Sequence, residues 1–237
     1  RLHVVDAKRQ TVSIFSPELK LIKEVDLSEK TVIPNFLAFH NALKRWYVAD
    51  GKKNVINVYD HKWQWLFAFG KTGRGDGELY GPQGVAISPS GDVFVADGLN
   101  ARIQVFDAEG GYIRQIGERG PVPGMFEHPK DLAFSSAGHL YVVDGRRPSF
   151  YIFTQEGQLL LSVGDRNKSV PYSFQAPGGI WLDENNRIYI ADRYNHRVSI
   201  WQYLDRDYLK TNPVTDEEIE QFKQLRKKVK KRYVDDL

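Results

Sequence analysis

The chain has 237 residues, of which 41% are hydrophobic and 13% are aromatic, so it can build a sizeable core. Its 33 basic and 30 acidic residues nearly cancel, and the formal charge of +3 gives no general case for nucleic-acid binding. It contains no cysteine, which excludes disulfides, thiolate metal sites and a haem attached through a C-x-x-C-H motif. No apolar run approaches the roughly 20 residues that a membrane-spanning helix needs.

A unit of about 47 residues recurs along the chain. Each copy has an aspartate that closes its second hydrophobic run and an aromatic residue nine positions later. The aspartates are Asp6, Asp50, Asp97, Asp144 and Asp192, and the aromatic residues are Phe15, Tyr59, Phe106, Phe153 and Trp201. Self-similarity at this period indicates one supersecondary unit stacked several times.

The hydrophobic runs within a copy predict four short strands. In the third copy they cover 84–88, 93–97, 102–107 and 112–116, with turn signals between them. Four antiparallel strands in about 47 residues is the size of one β-propeller blade, so we predict an all-β propeller. The propeller is predicted over 1–204, with blades at about 1–33, 34–80, 81–127, 128–175 and 176–204. The first blade is expected to be incomplete, because Leu2 corresponds to Val93 and the run before it is missing.

The pattern changes after residue 204, and residues 205–237 form a separate extension. Thr215 and Glu218 make a capping box, and the later turns are rich in lysine and arginine, which suits the helix dipole. Apolar residues follow at helical spacing, namely Ile219, Phe222, Leu225 and Val229. These features predict a basic amphipathic helix over about 215–233 that docks on the propeller or on a partner.

The repeat resembles the NHL repeat. The resemblance lies in the pattern P-x-G-[V/I]-A, then Y-V-A-D-x-x-N-x-R-[V/I]-x-[V/I]-F, and it is strongest in 81–107 and 176–201. NHL propellers usually have six blades, so the resemblance implies a sixth blade in the full-length protein. The chain is also similar to bacterial envelope and secreted NHL proteins, some of which accompany multihaem cytochromes. This similarity implies a periplasmic or extracellular location.

The repeated aspartate is interpreted as structural, because it occurs in every copy. A carboxylate at the end of a strand can accept hydrogen bonds from the amides of the next turn. In two copies an arginine lies five residues later and is expected to pair with the aspartate, namely Arg102 with Asp97 and Arg197 with Asp192.

An enzymatic site is not expected. The peptidylglycine amidating lyase, which has a similar propeller, carries zinc-ligand histidines directly after the proline that opens the inner strand. Those positions here hold Asn35, Gln83, Lys130 and Gly178. A calcium site built from Asn35, Gln83 and Asp131 has one carboxylate, and Lys130 would repel the cation. We therefore predict no metal, cofactor or catalytic residue, with a metal-dependent hydrolase or lyase in the channel as the alternative.

Basic residues follow the blade aspartate in three copies, so they are expected on one face of the disc. They are Lys8 and Arg9, Lys52 and Lys53, and Arg146 and Arg147. Acidic residues in other loops offset this charge, namely Asp92, Asp107, Glu109, Asp183 and Glu184. An RNA-binding surface is therefore a second alternative, and contact with a charge-complementary protein is the preferred interpretation.

Aromatic residues mark the last strand of the second blade. Trp63, Trp65, Phe67 and Phe69 alternate, so all four are expected on one sheet face. The two phenylalanines are expected to pack on the adjacent blade, whereas Trp63 and Trp65 are interface candidates. Trp181 replaces a small residue of the sister copies and is expected to fill the channel side of its blade.

These features together favour a non-enzymatic scaffold or adaptor subunit of a bacterial envelope or extracellular assembly. The expected partner is a protein, for which a multihaem cytochrome is one hypothesis, and a nucleic-acid partner is not expected. The candidate partner-binding residues are Trp63, Trp65, Lys130, Arg146, Arg147 and Tyr194.

Overall fold

The computed structural model describes residues 1–164, 173–203, 209–210, 212–217, 219–221 and 223–224. The chain divides into two compact units, Arg1–Trp201 and Gln202–Leu237. The first unit contains five antiparallel sheets whose strands pair in chain order, one sheet for each copy of the repeat. The all-β propeller predicted from the repeat is therefore confirmed.

The strands have the following bounds. Blades 1 and 2 contain β1 (Leu2–Asp6), β2 (Thr11–Phe15) and β3 (Leu21–Asp26), then β4 (Pro34–His40), β5 (Arg45–Asp50), β6 (Val55–Asp60) and β7 (Trp65–Phe69). Blades 3 and 4 contain β8 (Pro82–Ile87), β9 (Val93–Asp97), β10 (Arg102–Phe106) and β11 (Tyr112–Ile116), then β12 (Pro129–Phe134), β13 (Leu140–Asp144), β14 (Ser149–Phe153) and β15 (Leu159–Val163). Blade 5 contains β16 (Pro177–Leu182), β17 (Arg187–Asp192), the 3-10 turn η1 (Arg193–Asn195) and β18 (Arg197–Gln202). Blades 2 to 4 have four strands, whereas blades 1 and 5 have three within the described residues.

The first strand of each complete blade begins at its proline, which pairs with the blade aspartate across the sheet. Pro82 lies opposite Asp97 and Pro129 opposite Asp144, and a β-bulge follows each proline. Strands β4, β8, β12 and β16 contact one another in sequence and line the axis of the propeller. Because each pair is antiparallel, the first strands begin at the same end of the propeller at which the second strands finish.

The core lies between the blades. Successive residues of a strand point to opposite faces of its sheet, and in the middle blades both faces pack on a neighbour. Strands β9 and β10 are consequently buried along their whole length. The large side chains that fill these interfaces include Tyr47, Phe69 and Phe106 between blades 2 and 3, and Phe94, Phe126, Tyr151 and Phe153 between blades 3 and 4.

The second unit contains the beginning of the predicted helix. Residues 216–217, 219–221 and 223–224 are helical, and the Ile219 N–H donates to the Thr215 carbonyl at 3.0 Å. The rest of the predicted helix, 225–233, lies outside the described residues. Within the described part of the chain, no helix has the length and apolar character required to cross a membrane.

Candidate functional site

The candidate site is the end of the propeller at which the first strands begin, which we call the mouth. Strands β4, β8, β12 and β16 start there, and the loops that follow the blade aspartates lie at the same end. The residues that follow the opening prolines are Asn35, Gln83, Lys130 and Gly178.

The blade aspartates tie the mouth loops to the sheets. Asp144 is fully buried and accepts backbone N–H bonds from Glu127 (2.6 Å), His128 (3.0 Å), Arg146 (2.9 Å) and Arg147 (3.1 Å). One carboxylate thereby joins the segment that enters the blade to the loop that leaves β13. Comparable bonds are accepted by Asp50, Asp97 and Asp192.

Arginines strengthen this arrangement in two blades. Arg102 Nε lies 2.9 Å from Asp97 Oδ2, and Arg197 Nε lies 3.0 Å from Asp192 Oδ2, the pairings that the sequence spacing predicts. Burial raises the pKa of the Asp97 carboxyl, whereas its hydrogen bonds and Arg102 oppose that rise. The buried Arg102 also donates to acceptors in neighbouring segments, namely Gln115 Oε1 and the carbonyls of Gly75 and Glu78.

Lys130 is held at the start of β12, beside the axis. Its Nζ donates to Gln83 Oε1 of blade 3 at 3.2 Å. Its stem crosses Gly145, where a Cβ would lie 2.6 Å from Lys130 Cγ, so a larger residue at 145 would displace the lysine. Partial burial lowers the pKa of Lys130, and the positive charges of Arg193 and Arg146 lower it further.

Two arginines from adjacent blades complete a cationic group around Lys130. Arg146 follows β13, and Arg193 opens η1 with its guanidinium 5.7 Å from the ring centre of Tyr194. Tyr194 is 62% exposed. Among the described residues, Lys130, Arg146 and Arg193 take part in no ion pair. We call these four residues, together with His128, the mouth cluster.

His128 adds a buried polar atom to the mouth cluster. Its Nδ1 is buried and has no hydrogen-bond partner among the described residues. Burial lowers the pKa of His128, and the charges of Lys130 and Arg146 act in the same direction, so the imidazole is neutral at pH 7. The ring can therefore serve as a hydrogen-bonding group without adding to the positive charge.

Arg147 was predicted beside Arg146 as a partner contact, but its side chain takes a structural position. The guanidinium donates to the carbonyl of Gly120 and to those of Pro121 (2.9 Å) and Val122 (3.3 Å). It therefore fixes the connector between β11 and β12. The two adjacent arginines have different surroundings, which their sequence could not distinguish.

The acidic loop residues that offset the positive charge in the sequence lie at the opposite end of the propeller. Loops after the first strand of a blade carry Asp92, Asp183 and Glu184, and the loop after the third strand of blade 3 carries Asp107 and Glu109. Antiparallel pairing places both kinds of loop away from the mouth. The negative charge of Asp144 raises the pKa of Lys130 and so opposes the effect of the two arginines. Its oxygens already accept four backbone N–H groups.

The prediction that Trp63, Trp65, Phe67 and Phe69 share one face of a strand is wrong. Trp63 lies in the turn before β7 with a φ of 71°, and its ring stacks on Trp46 at 4.7 Å and 13°. A β-bulge between Val58 and Tyr59 then changes the register of β7. Trp65 consequently faces away from the two phenylalanines: its Nε1 donates to Asn57 Oδ1 at 3.2 Å, and Lys30 Nζ lies 5.1 Å from its ring centre. Trp65 is 41% exposed and stays a candidate partner contact.

Trp181 also differs from its predicted position. It is 60% exposed and packs against Tyr189 at 5.1 Å, so it does not fill a closed channel. The two rings can pack together because Trp181 on β16 and Tyr189 on β17 occupy paired positions of the sheet.

The three side chains considered for a cation already take part in hydrogen bonds. Asp131 is buried and accepts N–H bonds from Leu132 and Ile180, each at 2.9 Å. Gln83 Oε1 accepts from Lys130, and Asn35 Nδ2 donates to the Pro82 carbonyl at 2.7 Å. Over the described residues, no three or more His, Asp or Glu side chains come close enough together to hold a metal ion.

Sequence reasoning named Lys130, Arg146 and Tyr194 but did not include Arg193 or His128 in the site. One signal for Arg193 was present, because it directly follows a blade aspartate where three sister blades have glycine (Gly51, Gly98 and Gly145). His128 carried no such signal, since its importance comes from the burial of one ring nitrogen.

Comparison with known proteins gives a family and a fold. The NHL repeat model matches residues 79–106 and 174–201. No curated protein sequence matches the chain.

Several solved structures share the architecture. Virginiamycin B lyase from Staphylococcus aureus is 14% identical, with a TM-score of 0.60 over 86% of this chain and 67% of that one. A chain of Kuenenia stuttgartiensis hydrazine synthase is 16% identical, with a TM-score of 0.59 over 92% and 78%. A protein of unknown function from Bacteroides caccae is 15% identical, with a TM-score of 0.58 over 86% and 69%. At these identities the likeness shows the fold alone, and this chain spans about two thirds of the lyase.

Proposed function

We propose that this chain, which belongs to the NHL-repeat β-propellers, is a non-enzymatic scaffold that binds a protein partner through its mouth. The observation that carries the proposal is the mouth cluster. Three cations from two blades lie near one another at the mouth without an ion pair among the described residues, and an exposed tyrosine lies beside Arg193. Positive groups with complementary acidic groups on a partner give orientation and fast association.

The rigidity of the site supports a binding role. Lys130 is fixed by Gln83, and the Arg146 loop is fixed through its backbone to Asp144. Preorganised groups lose little conformational entropy when a partner binds. A propeller whose blades are packed on both faces can therefore present a charged surface of constant shape.

The biological setting is a further part of the proposal. The motif of the last blade, which includes Tyr194 and Asn195, carries the resemblance to bacterial envelope and secreted NHL proteins. We accordingly assign the chain to a periplasmic or extracellular assembly, with a multihaem cytochrome as the more specific partner hypothesis. The fold is compatible with membership of an enzyme assembly, since a hydrazine synthase chain has a similar architecture.

The test is a pull-down from native membranes and culture supernatant, with metal analysis of the same purified sample. Three baits are compared: the unaltered chain, a mouth variant (Lys130→Met, Arg146→Gln, Arg193→Gln) and an opposite-end variant (Lys20→Gln, Lys44→Gln, Lys62→Gln). The two variants lose the same number of positive charges. We expect a stoichiometric protein that the mouth variant loses and the opposite-end variant retains.

Other outcomes would contradict the proposal. Equal capture by the mouth variant would remove the mouth from the interface. About one tightly bound Ca²⁺ or Zn²⁺ per chain without a protein partner would favour a metal-dependent hydrolase or lyase, and one structural neighbour is a lyase. Recovery of RNA in place of protein would favour a nucleic-acid-binding propeller.

A further inference from the structure

We infer that the mouth cluster binds the side-chain carboxylates of an acidic peptide segment, with the Lys130 ammonium as the central donor. This inference rests on the proposed scaffold function and specifies the chemistry of its ligand. It makes the mouth a peptide-binding site, in which an extended acidic segment of the partner enters the end of the propeller axis.

The first argument is the excess of positive charge around Lys130, where Asp144 is the opposing carboxylate and already accepts four backbone N–H groups. Lys130 is partly withdrawn from water and lies near two guanidinium groups, an arrangement that disfavours its charged form. An entering carboxylate would relieve this repulsion and would accept a charge-assisted hydrogen bond. The Lys130 Nζ has three donors, of which Gln83 Oε1 accepts one, so donors remain for a ligand.

The second argument is the unpartnered nitrogen of His128. A buried polar atom without a hydrogen bond is unfavourable, and native proteins rarely leave one without a partner. The described residues supply no hydrogen-bond partner to the Nδ1 atom of His128, and the charges of Lys130 and Arg146 lie near this ring. Rotation of the ring would turn this nitrogen toward a peptide that enters the mouth, whose backbone groups could then pair with it.

The third argument separates a peptide carboxylate from a long polyanion. Nucleic acids are bound by a track of cations along the phosphate backbone. Several other cations at this end are already engaged: Arg9 with Glu24, Lys53 with the Lys30 carbonyl, Arg119 with the Leu99 carbonyl, and Arg147 with its connector. Lys130, Arg146 and Arg193, which form no ion pair with any described residue, therefore fit a compact anionic group better than a track.

The fourth argument concerns the neighbouring groups. Arginine guanidinium groups bind carboxylates in bidentate geometry, and Arg146 and Arg193 flank the lysine from two blades. The exposed Tyr194 ring offers apolar contact area together with a hydroxyl group, which suits the stem of a glutamate and a peptide backbone. These residue types are those that protein interfaces favour.

The experiment measures the binding of three labelled probes by fluorescence anisotropy. They are a 12-residue glutamate-rich peptide, its glutamine counterpart, both with amidated C-termini, and a 12-nucleotide oligouridylate. We expect the glutamate peptide to bind most tightly. Lys130→Met, Arg146→Gln and Arg193→Gln should each weaken it by roughly tenfold, the effect of removing one hydrogen bond to a charged group.

Lys52→Gln is the matched control. Lys52 occupies in blade 2 the loop position that Arg146 occupies in blade 4, and it does not contribute to the electrostatic environment of Lys130. It should leave the affinity within about twofold of the unaltered chain, as expected for an exposed charge. Thermal unfolding of every variant checks that the propeller is intact.

Several results would overturn the inference. Equal affinity for the glutamate and glutamine peptides, or preference for the glutamine peptide, would show that side-chain carboxylates are not recognised. Tighter binding of oligouridylate would assign the mouth to RNA. Equal losses in Lys52→Gln would show general charge attraction.

The two proposals can fail separately. A captured partner that the mouth variant loses, with no binding of the glutamate peptide, would leave the scaffold function intact and refute the carboxylate ligand. Specific binding of the peptide, with no partner captured from either fraction, would leave the carboxylate site intact and refute the scaffold function.

Discussion

Trp63 shows at the residue scale how a strained position is maintained by packing. Its φ of 71° is the left-handed conformation that Gly110 and Gly157 adopt at the corresponding turns. A residue with a side chain is disfavoured there by about 1 kcal/mol. Stacking on Trp46 and contact with the core between blades 1 and 2 compensate for this conformation. We expect Trp63→Ala to lower the free energy of unfolding by about 2 kcal/mol, since the ring is only partly buried.

Trp63→Gly is the informative companion variant. It loses the same ring but allows the left-handed backbone, so it should be more stable than Trp63→Ala by about 1 kcal/mol. Urea unfolding of both variants at one pH measures the difference. Equal stability, or a more stable alanine variant, would show that the backbone conformation at residue 63 carries no strain. Neither change should affect partner binding, because the ring belongs to the core between two blades.

Asp131 is a buried carboxyl group that makes the stability of the chain depend on pH. Burial raises its pKa to about 7, although two backbone N–H bonds favour the ionised form. Since the folded-state pKa lies above the unfolded value, Asp131 contributes most stability at acidic pH, and this contribution is lost as pH rises from about 4 to about 7. Asp131→Asn does not titrate. Its free energy of unfolding relative to the unaltered chain should therefore be more favourable at pH 8 than at pH 5, measured by urea unfolding. A difference independent of pH would place the pKa of Asp131 in its ordinary range.

Among the strands, the arginine five residues after the blade aspartate contributes differently to the free energy of unfolding in two blades. Arg102 is buried and bonds Asp97 together with two carbonyls, whereas the Arg197 side chain is 41% exposed. Arg102→Gln leaves a buried carboxylate without its charge partner, so we expect a loss of about 3 kcal/mol in unfolding free energy. Arg197→Gln, at the equivalent position, should lose about 1 kcal/mol or less. Similar losses in guanidinium unfolding of the two variants would contradict this assignment.

The strands were largely predictable because the copies of the repeat can be aligned with one another. The strands of the third blade were predicted within two residues of β8 to β11, since hydrophobic runs and glycine-containing turns recur at fixed positions. The orientation of Trp63 and Trp65 was not predictable, because a single bulged residue reverses which face of a strand a side chain occupies. The separation of Arg146 from Arg147 was not predictable either, since it depends on carbonyls of a connector more than 20 residues earlier.

On the scale of the chain, the mouth holds a local group of positive charges although the net charge is only +3. A sum over the sequence sets Asp92, Asp107 and Asp183 against the basic loops, but the topology places these acids away from the mouth. Only some residues of the mouth cluster could be predicted from the sequence. Its formation requires the start of β12, the loop after β13 and η1 of the next blade to meet, and that meeting depends on how the sheets of blades 4 and 5 pack.

The cations of the mouth cluster predict oriented binding to a negatively charged matrix. At pH 7 the chain should be retained on a cation exchanger, since the potential at the mouth acts locally and is not averaged over the molecule. The mouth variant should elute at distinctly lower salt than the opposite-end variant, although both lose the same number of positive charges. The salt gradient runs from 0.1 M to 1 M, over which the Debye length shortens from about 10 Å to about 3 Å. Clustered charges act together on the matrix at the low-salt end of this range, whereas widely separated charges act singly. Coincident elution of the two variants would mean that the matrix responds to net charge alone, and the mouth would then have no electrostatic advantage over the opposite end.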